Sequence, residues 1–288
     1  MKLIIVTTCK PFIGQAELIQ TQAIESWTKL KNIEVNILIL GDEKGVKEIC
    51  EKYNLIQVIE FKKFHIFPYI SSMLNSAYEL ANDNDIIMWT NSDIIYTQTL
   101  INTILEFKKL KIEKYALVGQ RLDWKNFKKV ELNNDNLKNI ISESNFHYPC
   151  GIDYIIHGKT SFNKELYANF SMPAIIADQK ILGRILNSNI YSCDCTATIL
   201  AIHHDCGIEN RESKLFKLVS ENNKKFKSKW GNIKQCKNNS YFDYNTIKFK
   251  SQKDINWIKN RKKDKFKLKM LNLENKFKNK FISLLNED

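Results

Sequence analysis

The chain has 288 residues, of which 43% are hydrophobic, and its net charge at neutral pH is +12. This supplies enough apolar material for one large α/β domain or for a domain with an appendage. No apolar run approaches the roughly 18 to 20 residues of a membrane-spanning helix, and Met1–Val6 reaches polar residues too soon for a signal peptide. The seven cysteines are odd in number and scattered, which argues against a disulfide framework and favours a reducing compartment.

The positive charge is concentrated in the last quarter of the chain. Residues 1–210 hold 22 Lys and Arg against 24 Asp and Glu, whereas residues 211–288 hold 22 against 8. We therefore predict three parts: a folded domain over 1–210, a basic connecting region over 211–258 and a basic helix over 259–288. The stretch 221–264 is rich in Asn and Lys, and we expect it to be only partly ordered.

Strand-like and helix-like patterns alternate through the first two hundred residues. Short aliphatic runs predict strands at Lys2–Thr7, Val35–Leu40, Ile56–Phe61, Asp85–Trp89, Tyr115–Gly119, Gly151–His157 and Tyr191–His203. Apolar residues at helical spacing predict helices at Gln15–Leu30, 43–53, Tyr69–Leu80, Ile101–Leu110, Asn133–Ile141 and Ala174–Leu186. This alternation is typical of a doubly wound, mostly parallel sheet flanked by helices, so the predicted fold class is α/β.

The most informative feature is the polar cluster Asn91-Ser92-Asp93, directly after the predicted strand Asp85–Trp89. In open α/β sheets, ligands bind in the crevice outside the carboxyl ends of the strands. An Asp at this place can hold a divalent cation through its oxygen atoms, and the cation can bind a diphosphate. The alternative is that Ser92 and Asp93 only cap the following helix, since both residue types cap well.

Several segments, in this order along the chain, resemble the bacterial and viral glycosyltransferase-like proteins of the GT-A (nucleotide-diphospho-sugar transferase) fold. They are Thr7–Phe12, Gln20–Trp27, Gly41–Gly45, Asn91–Ile95, Val118–Asp123, Gly151–Tyr154, Ala177–Asp178 and Ala201–Asp205. The resemblance implies a GT-A-type sheet and a metal-dependent glycosyltransferase that uses Mn²⁺ or Mg²⁺. Its expected donor is a nucleotide-diphosphate sugar, UDP-linked, and its expected acceptor is a surface glycan such as a capsule or a lipid-linked oligosaccharide.

The resemblance also implies roles for individual residues. Asp93 would bind the metal, with His203 or His204 as a later ligand, and the sequence does not distinguish the two histidines. Contacts to the nucleotide or donor are expected from Thr7, Thr8, Lys10, Asn91, Ser92, Asp93, Gln120 and Arg121. Contacts to the sugar or the acceptor are expected from Asp123, Gly151 and Asp153. Asp178 would be the base of an inverting reaction, although it can equally be an ordinary N-cap of the following helix.

Plainer explanations exist for some of these residues. Lys10 can be a solvated loop residue, and Arg121 with Asp123 can be a surface ion pair. A zinc site is disfavoured because its candidate ligands lack the paired Cys-x-x-Cys spacing of structural sites; these candidates are Cys193, Cys195, His203, His204 and Cys206. The Gly-rich loop expected of a nucleotidyltransferase after the first strand is absent.

The chain departs from the family pattern at Ala177, where an aromatic residue is usual, and in a shortened histidine motif. These departures leave open an alternative function from another class. In that case the chain is a non-catalytic binding protein, associated with a membrane or a nucleic acid, on a degenerate transferase fold.

Apolar residues recur at three- and four-residue steps in 259–288, at Phe266, Met270, Leu273, Phe277, Phe281 and Leu284. With ten Lys and Arg around them, they predict an amphipathic helix on an anionic membrane surface, where Phe277 and Phe281 supply the apolar contact. The alternative is a helix docked on the folded domain. No nucleic-acid-binding module accompanies the charge, so no nucleic acid is expected as a partner. The expected location is the cytoplasm, peripheral on the inner face of the cytoplasmic membrane.

Overall fold

The computed structural model describes residues 1–126, 128–167, 170–172, 177–204, 214–225, 229–251 and 263–286. Within them the strands are β1 Lys2–Thr8, β2 Glu34–Leu40, β3 Ile56–Val58, β4 Lys63–Phe64, β5 Phe67–Pro68, β6 Ile86–Thr90, β7 Ile94–Tyr96, β8 Tyr115–Val118, β9 Leu122–Trp124, β10 Asn145–Phe146, β11 Tyr154–Gly158, β12 Tyr191–Asp194, β13 Ala201–His204, β14 Asn238–Asp243 and β15 Thr246–Ser251. The helices are α1 Gln15–Thr28, α2 Val46–Tyr53, α3 Ile70–Leu80, α4 Thr99–Lys108, α5 Asn134–Glu143, α6 Lys164–Tyr167, α7 Ala177–Leu186, α8 Lys214–Lys224 and α9 Lys263–Leu284.

The main sheet has the strand order β15-β14-β12-β8-β11-β6-β1-β2-β3. β1 runs parallel to β2 and β6, and β12 runs parallel to β8 and β14, whereas β11 is antiparallel to both of its neighbours. The chain moves outward from β1 to β3 and then returns to place β6 on the other side of β1. The strand order therefore reverses between β1 and β6, and in open α/β sheets ligands bind at such a reversal, outside the carboxyl ends of the strands.

Helices cover both faces of the main sheet, because its central strands are apolar on both sides. Leu3 and Ile5 of β1 pack in one buried cluster with α1, α2 and α4. Ile4 and Val6 of the same strand pack in a second cluster with α3, α6 and α7. Continuous apolar runs such as these are the usual sequence of a strand that is buried on both faces. The predicted α/β class, with a mostly parallel sheet flanked by helices, is confirmed.

A smaller sheet with the order β10-β9-β13-β7 lies beside the carboxyl end of β6. β13 pairs in parallel with β9 and antiparallel with β7, so that His203 is opposite both Asp123 and Ile94. Trp27 of α1 donates its indole N–H to the carbonyl oxygen of Ile94, at 2.8 Å. This contact joins the smaller sheet to the helix layer. The strand β7 begins at Ile94, directly after the Asn91-Ser92-Asp93 cluster.

Two predicted strands were wrong in extent. Ile56–Phe61 was predicted as one strand, but pairing with β2 ends at Val58. Tyr191–His203 was also predicted as one strand, but the chain turns after Asp194 and passes from the main sheet into the smaller one. Polar residues after Cys195 end the first strand, and Thr198 is held in the turn by the hydroxyl of Thr103, which donates to its carbonyl oxygen at 3.0 Å.

The C-terminal region is more closely joined to the fold than we predicted. β14 and β15, within the predicted connecting region, extend the main sheet beyond β12. In α9, Phe281 is 1% exposed and packs in a third buried cluster with Trp124. Lys278 Nζ donates to the carbonyl oxygens of Ser142 and Ser144, at 2.9 and 2.7 Å. The last turns of α9 are therefore docked on α5 and β9.

The membrane contact predicted for Phe281 is wrong, because this side chain belongs to the protein core. Phe277 is partly buried against the same cluster. The side chains of Phe266 and Met270 lie outside the described residues. A helix sufficiently long and apolar to cross a membrane does not occur in the described part of the chain.

Replacement of Phe281 by Ala should lower the free energy of unfolding by ~3 to 5 kcal/mol, the usual cost of deleting a buried phenyl ring. Lys276→Ala, on the exposed face of the same helix, is the control and should change it by no more than about 0.5 kcal/mol. Urea unfolding followed by circular dichroism measures both. Equal and small effects would mean that α9 is not docked.

Candidate functional site

The buried Arg121 connects two other predicted site residues, Asp123 and Asp153. Arg121, just before β9, forms ion pairs with Asp123, from Nε to Oδ1 at 2.7 Å, and with Asp153 through Nη1. The side chains of Arg121 and Asp153 are only 12% and 6% exposed. Burial alone would lower the pKa of Arg121, but the charges of Asp153 and Asp123 outweigh it and raise the pKa above its usual range. Arg121 therefore stays charged and is not a simple surface ion pair.

Asp153 is also bonded to the loop that follows β6. Asn91 Nδ2 donates to Oδ1 of Asp153 at 2.7 Å, and the backbone N–H of Asn91 donates to the Asp153 carbonyl oxygen at 3.2 Å. The second carboxylate oxygen of Asp153, Oδ2, is buried and has no hydrogen-bond partner among the described residues. A buried acceptor usually has a partner, so this oxygen marks a place where a ligand can donate.

Next to this group, four side chains form a line of alternating acidic and imidazole groups. His203 Nε2 lies 3.6 Å from Asp93 Oδ2, and its Nδ1 lies 3.2 Å from Asp123 Oδ1. On the other side of Asp123, Oδ2 lies 2.7 Å from Nδ1 of His147. His147 was not among the predicted site residues, because its sequence neighbourhood carries no recognisable motif.

The electrostatics of this line favour positive charge beside Asp93. Burial alone would raise the pKa of Asp93, but the charge of His203 and its hydrogen bond outweigh burial and lower the pKa to about 2. Burial alone would lower the pKa of His203, but Asp93 and Asp123 raise it to about 10. Burial would likewise raise the pKa of Asp123, whose hydrogen bonds to His147 and His203 instead hold it below its usual range.

The donor set fits a divalent cation held by few protein ligands. Asp93 Oδ1 is buried and has no hydrogen-bond partner among the described residues, while His203 Nε2 lies near its other oxygen. Without a cation, His203 itself carries the positive charge beside Asp93. To act as a ligand it must give up its Nε2 proton, and one carboxylate with one neutral imidazole then suffices when phosphate oxygens and water complete the coordination. In the described part of the chain, no group of three or more His, Cys, Asp and Glu side chains could hold a metal ion. Asp93 and His203 therefore fit an ion whose remaining coordination positions are filled by a bound ligand and water.

The two neighbouring histidines point in different directions, because successive side chains of a strand alternate between its faces. His204 is 1% exposed, its Nε2 lies 2.8 Å from the carbonyl oxygen of Asn126, and its ring lies against that of Trp124. The sequence left His203 and His204 open as metal ligands. His203 lies beside Asp93, whereas His204 lies on the other face of β13.

The loop after β1 is tied to the loop after β6 by Gln20, a residue of α1 that was not predicted as part of the site. Its Oε1 accepts from the backbone N–H of Lys10 at 2.6 Å and from Ser92 Oγ at 3.0 Å. Lys10 is exposed and Thr8 is partly exposed at this end of the sheet. Thr7 is completely buried, so the predicted contact of its side chain with a nucleotide is wrong in this conformation.

Gln120 and Gly151 determine where His147 lies. Gln120 is 2% exposed, and its side-chain amide donates to the carbonyl oxygen of His147 at 2.6 Å. A Cβ added at Gly151 would lie 2.2 Å from Cδ2 of His147. Only glycine therefore permits the imidazole to approach this turn and reach Asp123. These two residues hold His147 in place, and the donor contact predicted for the Gln120 side chain gives way to this structural contact.

Asp178 lies in the first turn of α7, with its two carboxylate oxygens in different environments. Oδ2 accepts from the backbone N–H of Ile152 at 3.3 Å, while Oδ1 is buried without a hydrogen-bond partner in the described chain. Burial raises the pKa of Asp178 to about 8, and the charge of Asp153 acts in the same direction against the backbone hydrogen bonds. A carboxyl group with such a pKa can take up a proton near neutral pH.

No protein-family model matches the chain, and no curated protein matches it. Among solved structures, it is similar to S. aureus TarS in complex with UDP-GlcNAc, with 15% identity and a TM-score of 0.49 over 76% of this chain and 64% of that one. The chain thus spans less than two thirds of the TarS chain.

Two further structures are similar over most of the chain. Glucosyl-3-phosphoglycerate synthase from Mycobacterium tuberculosis, in complex with Mn²⁺, UDP and phosphoglyceric acid, matches at 12% identity and a TM-score of 0.40 over 71% of each chain. The 4-diphosphocytidyl-2C-methyl-D-erythritol synthase from Anaerococcus prevotii matches at 10% identity and a TM-score of 0.41 over 78% of this chain and 99% of that one. Matches at this level of identity concern the chain arrangement and assign no activity.

Replacement of Arg121 by Gln should lower the free energy of unfolding by ~3 to 5 kcal/mol, because it leaves buried carboxylates without their counter-charge. Lys109→Gln is a matched control, since Lys109 forms an exposed ion pair with Glu106 at 2.5 Å and exposed pairs contribute at most about 1 kcal/mol. Chemical denaturation at neutral pH measures both. If the two variants lose the same small amount, Arg121 is not a buried bridge.

Proposed function

We propose that this chain is a metal-dependent glycosyltransferase that moves a sugar from a nucleotide-diphosphate donor, UDP-linked, to a hydroxyl group. The observation that carries the proposal is the position of Asp93. Its carboxylate has an unpartnered buried oxygen, lies beside His203, and stands where the strand order reverses between β1 and β6. A nucleotide diphosphate that shares a cation with Asp93 would occupy the crevice at that reversal.

Asp93 and His203 are the residues that would hold Mn²⁺ or Mg²⁺. Such an ion, when bound, supplies charge stabilisation for the departing diphosphate. Lys10 is exposed after β1 on the same side of the sheet, where its ammonium would contact a phosphate as a point charge. Gln20 holds the backbone of Lys10 and the hydroxyl of Ser92, so the two loops that would contact the donor are fixed relative to each other.

Asp153 and Asp123 would accept hydrogen bonds from hydroxyl groups of the transferred sugar. The unpartnered Oδ2 of Asp153 supports this role. Arg121 acts through them: its guanidinium is bonded to both carboxylates and holds them in place. Asn91 contributes in the same way, by holding Asp153 from the loop after β6.

Asp178 is the residue proposed as the base of an inverting transfer. Its Oδ1 would take the proton of the acceptor hydroxyl while that oxygen forms a bond to the anomeric carbon and the bond to the diphosphate breaks. The hydrogen bond from the Ile152 N–H holds Oδ2 and leaves Oδ1 for this proton. One carboxylate oxygen of Asp178 can thus hold the residue before Asp153 while the other acts as a base.

The acceptor that we propose is a surface glycan, such as a capsule or a lipid-linked oligosaccharide, made on the cytoplasmic face of the membrane. The basic residues of α9 and of the region before it support an approach to an anionic surface, since 22 Lys and Arg stand against 8 Asp and Glu in 211–288. Docking of Phe281 in the core limits such contact to the charged side of the helix.

Replacement of Asp93 by Asn should abolish Mn²⁺-dependent binding of UDP-sugars, because an amide is a far weaker cation ligand than a carboxylate. A ligand at 100 times its dissociation constant stabilises the folded protein by ~2.7 kcal/mol, so a thermal-shift panel of nucleotide sugars with and without Mn²⁺ detects binding. Asp135→Asn is the control, since Asp135 is 90% exposed on α5. Unchanged Mn²⁺-dependent stabilisation of the Asp93 variant would contradict the proposal. Binding without any sugar transfer would instead favour the non-catalytic alternative.

Replacement of Asp178 by Asn should lower the rate of transfer by ~10² to 10⁴-fold, because Asn keeps an acceptor for the Ile152 N–H but cannot take the proton. In the unchanged protein, the rate should rise as pH increases through about 8, since the base must be deprotonated.

A second measurement separates this role from a structural one. A carboxyl group whose pKa is raised on folding stabilises the fold at low pH, and this contribution is lost as pH rises through about 8. Asp178→Asn should therefore gain stability relative to the unchanged protein at pH 9 and not at pH 4, as measured by urea unfolding. Normal turnover in this variant would return Asp178 to a purely structural role.

A further inference from the structure

Two exposed aromatic side chains lie close in the fold to Asp178, and neither contributes to the core. Tyr148 is 78% exposed and Trp230 is 60% exposed. Large aromatic side chains usually bury most of their surface, because that burial is the main favourable term in folding. Two exposed aromatic rings at the edge of one site are therefore a candidate ligand-binding surface.

Two hydrogen bonds join the segments of these aromatics to the start of α7, and a third joins the two segments to each other. Gln179, next to Asp178, donates its side-chain amide to the carbonyl oxygen of Cys150 at 2.9 Å. The backbone N–H of Gly231 donates to the carbonyl oxygen of Gln179 at 2.8 Å, and that of Ile233 donates to the carbonyl oxygen of Pro149 at 3.0 Å. Tyr148 and Trp230 are each one residue from a bonded residue, so both border the first turn of α7.

The backbone beside each of the two aromatic residues is held by contacts with the rest of the fold. A Cβ added at Gly183 would lie 1.8 Å from the carbonyl oxygen of Lys229, so the segment before Gly231 packs directly on the backbone of α7. On the other side, His147 precedes Tyr148 and its imidazole is bonded to Asp123. Fixed aromatic rings bind with little loss of conformational entropy, because only two side-chain torsions remain to be ordered.

We propose that Tyr148 and Trp230 form an acceptor-binding rim that stacks against sugar rings of a carbohydrate acceptor. The proposal rests on the function proposed above and specifies its acceptor. A sugar ring has C–H groups on its faces and hydroxyl groups at its edge. The two aromatic rings match the faces, and the unpartnered oxygens of Asp153 and Asp178 match the hydroxyl groups. A lipid tail or an apolar peptide would leave these buried carboxylate oxygens without a donor.

Trp230 itself provides a direct test of binding. The other described tryptophans, Trp27, Trp89 and Trp124, are at most 4% exposed. Trp257 lies outside the described residues, so the titration uses a Trp257→Phe background, in which quenching of emission by acrylamide should report chiefly on Trp230. We expect soluble oligosaccharides of glucose, galactose or N-acetylglucosamine to reduce that quenching, and Trp230→Phe to remove the response. Tyr148→Ala should raise the dissociation constant about tenfold, which corresponds to ~1.4 kcal/mol. No protection by any saccharide in the panel would overturn the rim.

Acceptor kinetics give an independent test. Tyr148→Ala and Trp230→Ala should each raise KM for the saccharide about tenfold, and Tyr148→Phe, which keeps the ring, should restore it. The matched control is Tyr244→Ala, because Tyr244 is 92% exposed in the turn between β14 and β15. If the two rim variants keep the KM of the unchanged protein, the rim is overturned. Failure of the unchanged protein to bind any donor with Mn²⁺ would contradict the proposed function, and the quenching titration would still decide whether the rim binds saccharides.

Discussion

The buried guanidinium of Arg121 connects two sheets through charge. Asp123 belongs to the smaller sheet and Asp153 lies just before β11 of the main sheet, and both carboxylates bond to the same side chain. Without a cation between them, these carboxylates would repel each other in a region of low dielectric constant, where charges interact strongly. Asn91 then attaches the loop after β6 to the same Asp153. The relative position of the two sheets is therefore set at the site itself.

The strand ladder sets the second constraint. His203 is opposite Asp123 on β9 and Ile94 on β7, so its position beside Asp93 follows from backbone pairing as well as from its own torsions. A shift of β13 by one residue would turn His204 towards Asp93 and His203 towards Trp124, because the side chains of a strand alternate. The sequence could not choose between two adjacent histidines, since the choice depends on a register that only the partner strands determine.

Hydrophobic pattern predicted the α/β class well because the central strands are apolar on both faces. It also placed Asn91, Asp93 and Asp123 at or next to the carboxyl ends of strands. The carboxyl ends of parallel strands lie at the same edge of a sheet, so these residues were expected to lie close together. The pattern failed where pairing decides the structure. Tyr191–His203 was predicted as one strand, yet it divides between two sheets.

Polar and basic residues concealed other features of the fold. β14 and β15 carry Asn and Lys at a sheet edge and do not resemble core strands. In α9, the surrounding lysines suggested a surface helix, whereas Phe281 is buried and Lys278 caps the end of α5. Gln20 begins a segment that carries the family resemblance and His147 lies outside all such segments, but for both residues only the contacts in the fold show their role in the site.

The placement of side chains on strands or on loops has an evolutionary consequence. Asp123 and His203 lie on paired strands of the smaller sheet, where an inserted residue would displace every side chain that follows it. Tyr148 and Trp230 lie in loops, and loops accept insertions and substitutions far more readily than the elements that they connect. Divergent descendants of this chain could thus exchange the aromatic loops, while Asp123 and His203 stay where the paired strands hold them.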